Sequence, residues 1–164
     1  MTTPRWLTDE EQALWRLMLA ASRKMDRCMD ETLLAGNDLS TSEFAVLVTL
    51  SESGAPGLRL RDLCIELDWD RSRTSHQITR MERRGLVTKE KCEGDARGVL
   101  VVLTAEGQRR LELAAPEHVE SVRRLVFDHL KPEQVPVLRE FLGDIMAVDN
   151  VPGAERFGDR LEQE

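Results

Sequence analysis

The stretch Arg71-Ser72-Arg73-Thr74-Ser75-His76-Gln77-Ile78-Thr79-Arg80-Met81-Glu82-Arg83-Arg84-Gly85-Leu86-Val87 decides the fold. Up to Arg84 its spacing is helical, with Thr74, Ile78 and Met81 on one side and Gly85 as the C-terminal stop. From Leu86 the period drops to two. Residues 86–92 and 98–103 predict two strands, joined by Glu93-Gly94-Asp95-Ala96-Arg97 into a hairpin. Upstream, Leu60, Leu63, Cys64 and Leu67 mark a short amphipathic helix, and Asp68-Trp69-Asp70 turns into the next one. Two short helices across a tight turn, followed by a hairpin, read as a winged helix-turn-helix.

The outward face of the second helix carries Ser72, Arg73, Ser75, His76, Thr79 and Arg80, and no acid occurs between Arg71 and Met81. Hydroxyls suit phosphate oxygens, Arg bonds guanine O6 and N7 bidentately, and a helix N-terminus attracts phosphate. An ordinary solvated helix more often mixes Glu with Lys. At the hairpin tip, Arg97 has the reach and charge for a narrow minor groove. Asp95 could hold the wing by bonding turn amides or pairing with an arginine, the alternative being an ordinary turn with an exposed Arg.

The net charge of −7 hides this polarity. Residues 71–97 hold eight bases against four acids, so that segment carries +4 and the rest of the chain −11. An acidic body with one basic island fits a polyanion partner, while a solvated, unevenly charged face is the plainer reading.

Outward from the island, the chain is mainly helical. Residues 8–35 predict one long helix with Thr8 as N-cap, three acids in its first turn and a stop at Gly36-Asn37. Its apolar or small residues Leu14, Met18, Ala21, Met25, Cys28 and Thr32 step by four and three. Ser40 and Glu43 form a capping box for the helix carrying Phe44, Leu47, Val48 and Leu50. Thr104 caps a helix with Glu106 in its first turn. That helix continues through Leu111, Ala115, His118, Val122, Leu125 and His129, and Pro116 should kink or divide it. A last helix begins near Pro132 or Pro136 and presents Leu138, Leu142 and Ile145. The expected division is residues 1–38 as an N-terminal dimerisation helix, 39–110 as the winged helix-turn-helix, 111–150 as C-terminal dimerisation helices and 151–164 as an acidic tail.

Several function classes lack support. No apolar run approaches the roughly 20 residues of a membrane span, and no signal peptide opens the chain, so a cytoplasmic protein is expected. Cys28, Cys64 and Cys92 form neither a disulfide framework nor a metal knuckle, and His76, His118 and His129 have no ligand spacing with them. No metal site, cofactor or catalytic motif is read. Cys28 and Cys64 read as small buried hydrophobes, whereas Cys92 lies near Lys89, Lys91 and Arg97, where a thiolate is favoured.

From about residue 40 to 110 the chain resembles the MarR family of bacterial winged-helix transcription regulators. The likeness runs through Leu60-Arg61-Asp62-Leu63-Cys64-Ile65-Glu66-Leu67, the 71–87 stretch, Asp95-Ala96-Arg97 and Val101-Val102-Leu103-Thr104-Ala105-Glu106-Gly107. The resemblance implies double-stranded DNA as partner, with Ser72, Arg73, Ser75, His76 and Arg80 in the major groove, Arg97 in the minor groove and Asp95 bracing the wing. His76 stands where the family often has arginine, which points to a weaker or pH-dependent contact. It also implies a homodimer on a palindromic operator, with intramolecular helix packing as the alternative. A small anionic or phenolic ligand would sit between the dimer and DNA lobes and release a repressor. Trp15, Arg16 and Phe44 are the candidate lining, with core packing the plainer role for the aromatics. Competing readings are a winged-helix protein-interaction module without DNA binding and a cysteine-based redox regulator.

Overall fold

The computed structural model describes residues 5–92 and 95–149, and of residues 92 and 95–97 the backbone alone. Helix α1 spans Asp9–Asn37, with Thr8 closing a full capping box: its backbone N–H donates to Glu11 Oε2 at 2.7 Å and its hydroxyl accepts from the Glu11 amide. The helix does not stop at Gly36, as the local sequence predicts. It runs through Asn37, and Asp38, at φ 51°, is the left-handed cap. Gly36 serves packing instead. A Cβ there would collide with the Glu117 carboxylate, which also accepts from Asn37 Nδ2 at 3.0 Å. The glycine leaves room for that carboxylate against α1.

Ser40 caps α2 (Thr41–Glu52) through the expected box with Glu43. The Asp30 carboxylate ties α1 to the start of α2 by accepting from the Thr41 amide at 2.9 Å and hydroxyl at 2.7 Å, which hold its pKa below the usual carboxylate range. Then follow β1 (Leu58–Arg59), α3 (Leu60–Leu67), α4 (Arg71–Arg83), β2 (Val87–Cys92) and β3 (Asp95–Leu103). The sheet is antiparallel in the order β1-β3-β2. The sequence does not predict β1, because two residues are too short to show a period.

The hairpin also differs. Lys91 pairs with Val99 but Cys92 pairs with Asp95, so residues 96–98 form a bulge within β3. Of the five residues expected as the turn, Asp95, Ala96 and Arg97 belong to β3, and Glu93 and Gly94 lie outside the described residues. Bulged residues break the alternation by which a strand is recognised.

Thr104 caps α5 (Ala105–Val122), accepting from the Gly107 amide at 3.0 Å and donating to the Gly85 and Leu86 carbonyls at 2.7 and 3.0 Å. A Cβ on Gly107 would collide with the Leu86 carbonyl, so the Leu-Thr-x-x-Gly run seats α5 against the end of the helix-to-wing passage. Pro116 does not divide α5. It removes one donor, while ties to α1 from Arg110 before it and from Glu117 and Ser121 after it support the turns on either side. The break comes later, as a π-helical turn over Arg123–Phe127. Helix α6 (Gln134–Met146) takes Pro136 into its first turn, where the missing N–H has no helical partner to lose.

The core gathers residues of α2, α3, α4 and the sheet, with Leu33 of α1 and Leu111 and Ala114 of α5. Leu33, Leu39, Val46, Leu47, Leu63, Ile78, Met81, Leu86, Val87 and Val101 are all fully buried or within 1 % of it. The two ends of the chain behave otherwise. On the α1 seam Leu14 is 56 % exposed and Ala21 and Met25 are exposed too, Met18 is half-buried, and Cys28 and Thr32 turn inward. Every residue from 131 to 149 is exposed, including Leu138, Phe141, Leu142 and Ile145 on α6.

Candidate nucleic-acid interface

Helix α4 is set by the turn that precedes it. Asp68 takes the left-handed conformation at φ 50°, and the Trp69 amide donates back to the Cys64 carbonyl at 3.0 Å. Asp70 then caps α4, its carboxylate accepting from the Arg73 amide at 2.8 Å. Sequence spacing identifies this segment as a turn but not Asp70 as the cap, although Asp just before a helical run is a standard signal.

Thr74, Gln77, Ile78 and Met81 face the core. Ser72, Arg73, Ser75, His76 and Arg80 are all exposed, so the five candidates on this helix share its outward side. In front of them lies a cleft of about 520 Å³, lined by Arg73, His76, Thr79, Arg80 and Arg83, with Ser42 contributed by the first turn of α2. Sequence spacing does not single out Ser42, Arg83 or the buried Gln77. Gln77 Oε1 accepts from Arg80 Nη2, which steadies that guanidinium over the helix surface. Only tertiary packing brings Ser42, some thirty residues earlier, to the same cleft.

Part of the basic island is internal. Arg84 Nη1 donates to both oxygens of the buried Glu43 at 2.8 Å, and its Nη2 bonds the carbonyl and carboxylate of Asp38 at 2.6 and 2.8 Å. Arg110 of α5 reaches the same junction through the Asn37 carbonyl at 3.0 Å. Lys89 of β2 bonds Thr79 at 2.9 Å and pairs with Glu82 at 3.0 Å, lashing the wing strand to α4. Counting charges along the sequence cannot separate these structural cations from the outward ones.

The side chains of Asp95, Arg97 and Cys92 lie outside the described residues, so the wing contact, its brace and the thiolate stand as read from sequence. The three candidate ligand-lining residues are not brought together within the chain. Trp15 and Arg16 are exposed, and about 20 Å of helix separates Arg16 from Asp30, where α1 meets α2. Phe44 is buried in the core, with its ring centroid 4.5 Å from that of His118. A separate hollow of about 410 Å³ lies between α1 and α5, lined by Thr32, Pro116, Glu117, Glu120, Ser121 and Arg124. His118 Nδ1 is buried without a hydrogen-bond partner, and burial lowers the pKa of this imidazole. His129, read from the same seam, is exposed.

Known proteins share this arrangement. Residues 39–99 match the model of the MarR family. The transcriptional regulator PecS of Dickeya dadantii is 30 % identical over 122 residues, 74 % of this chain and 72 % of PecS. The MarR family transcriptional regulator Sco3205 from Streptomyces coelicolor, solved in complex with DNA, superposes with a TM-score of 0.84 at 38 % identity, over 87 % of this chain and 90 % of that one. AbsC, a MarR family transcriptional regulator from the same organism, gives 0.83 at 41 % identity, over 87 % and 96 %. This chain belongs to the MarR family of transcription regulators.

Proposed function

We propose that the protein is a cytoplasmic, homodimeric repressor that reads a palindromic operator in double-stranded DNA and is released by a small anionic or phenolic ligand. The observation that carries the reading is the outward face of α4. Ser72, Arg73, Ser75, His76 and Arg80 are exposed together on a helix whose other side is locked into the core. That is the surface a major groove requires: short donors for phosphates, arginines for guanine, no acid to repel the backbone. Arg97, on the wing, takes the minor groove, and Asp95 braces it. The relative Sco3205, in its complex with DNA, lends the same support.

Dimerisation rests on the apolar surface at the two ends of the chain. A 13-residue helix exposed on every side does not persist in water by its own propensity, and α6 carries Phe141 and Leu142 at 45 and 54 % exposure. The N-terminal part of α1 and α6 form the dimerisation lobe, and residues 39–110 form the DNA lobe. Two copies related by a two-fold axis set two α4 helices on successive turns of one DNA face. Ligand release requires different affinity in the DNA-competent and incompetent arrangements, and the junction of α1, α2 and α5 is where the two lobes meet.

Selection from a random duplex library tests the reading. The expected result is an enriched inverted repeat with half-site centres about 10 base pairs, or a multiple of that, apart. A library that returns no sequence above background contradicts it.

A further inference from the structure

Trp69 stands one turn before Arg73, just ahead of the N-cap of α4. The Arg73 guanidinium carbon lies 4.2 Å from the centre of the Trp69 ring, within stacking range. Trp69 is itself held firmly. Its amide is bonded to Cys64, its neighbour Asp68 takes the left-handed turn, and its half-buried side chain packs against the core cluster. The other end of Arg73 is fixed too, because Asp70 accepts from its backbone amide at 2.8 Å. The result is an exposed arginine held at its backbone by Asp70 and at its guanidinium by Trp69, beside the basic cleft.

We infer that Trp69 is a positioning residue for base recognition: it serves as a platform that flattens and aims the Arg73 guanidinium for bidentate contact with guanine. The inference rests on the DNA-binding reading above and adds to it a specificity determinant outside the recognition helix. A guanidinium carries its donors in its own plane, so stacking on indole leaves that in-plane fork free to meet O6 and N7. A long side chain loses much rotational freedom when it docks on a base, and one already stacked has less to lose.

The test is a double-mutant cycle over Trp69→Leu and Arg73→Ala, with intact dimeric protein and the duplex that the wild type selects, alongside the same duplex with its selected guanines exchanged. Trp69→Leu is expected to weaken binding about 3- to 30-fold, the span of a cation–π contact. It should cost almost nothing in the Arg73→Ala background, lower the preference for guanine, and be largely rescued by Trp69→Phe. An equal factor in both backgrounds, or no loss at all, overturns the platform. A second readout needs no change at residue 69: with Trp6 and Trp15 replaced by Phe, Trp69 is the only indole, and Arg73→Ala should shift its emission in the free protein. An unchanged emission overturns the pairing. A wild type that selects no sequence overturns the DNA-binding reading itself, and is told apart because it fails before any variant is compared.

Discussion

Arg73 and His118 stand in opposite environments, one exposed on the outward face of α4 and one packed against Phe44. Arg73 is exposed at the first turn of α4, and Arg73→Ala should cost about 1–3 kcal/mol of operator affinity, concentrated on guanine-containing half-sites. A loss of equal size on every sequence would make it a phosphate contact instead. His118 is packed on Phe44 with an unpartnered Nδ1, and desolvation lowers its pKa from the ordinary 6.5. As pH falls below 6.5 the unfolded chain therefore takes up this proton before the folded one. The stability associated with neutral His118 is complete above that pH and is lost on acidification. His118→Leu should flatten the fall in melting temperature between pH 7 and 5, and an unchanged slope would show that other groups govern it. The outward residues of α4 are legible in the sequence because a 3.6 period sorts faces without any knowledge of partners. The stacking of Arg73 and the isolation of His118 are not, since both depend on which distant side chain arrives beside them.

Among the elements, α4 is anchored from both ends. Asp70 caps it, and Arg84 latches its C-terminus to Glu43 and Asp38. The Glu43 side chain is 8 % exposed, so removing its partner strands a buried carboxylate. A fully buried pair broken this way costs about 3–5 kcal/mol; with the Arg84 side chain 34 % exposed, Arg84→Ala should cost about 2–3 kcal/mol in chemical denaturation. A cost under about 0.5 kcal/mol would mean that water replaces the arginine freely. The helices are legible to within a few residues wherever a cap or glycine announces them, as at Thr8, Ser40, Gly85 and Thr104. Three features escape for physical reasons. The strand β1 is two residues long, the β3 bulge suspends alternation, and the support of α5 by α1 lets Pro116 sit inside an unbroken helix. Gly36 reads as a stop from its local propensity, whereas its role is the close approach of Glu117.

Taken as one body, the acidic chain presents a basic cleft and two apolar ends that stay exposed among the described residues. Leu138→Glu combined with Leu142→Glu should give a monomer in sedimentation. With each half-site then bound singly, affinity for the full operator should fall by about 10²–10⁴-fold. A dimer that survives both substitutions would move the interface off α6. The heptad-like spacing of the two ends is legible in the sequence, but whether they pack on each other or on a second copy is not. Within one chain the helices divide: Cys28, Thr32 and Leu33 turn inward, while Leu14 and the whole of α6 remain exposed. A negatively charged protein that binds a specific duplex through a few outward cations must show both sequence preference and salt dependence. Equilibrium binding to the selected duplex and to a scrambled one, across a range of salt concentrations, measures the two together. Tight, salt-sensitive binding to the selected sequence is predicted, with log K falling linearly with log salt, and much weaker binding to the scrambled one. Equal affinity for the two sequences at every salt concentration would contradict it.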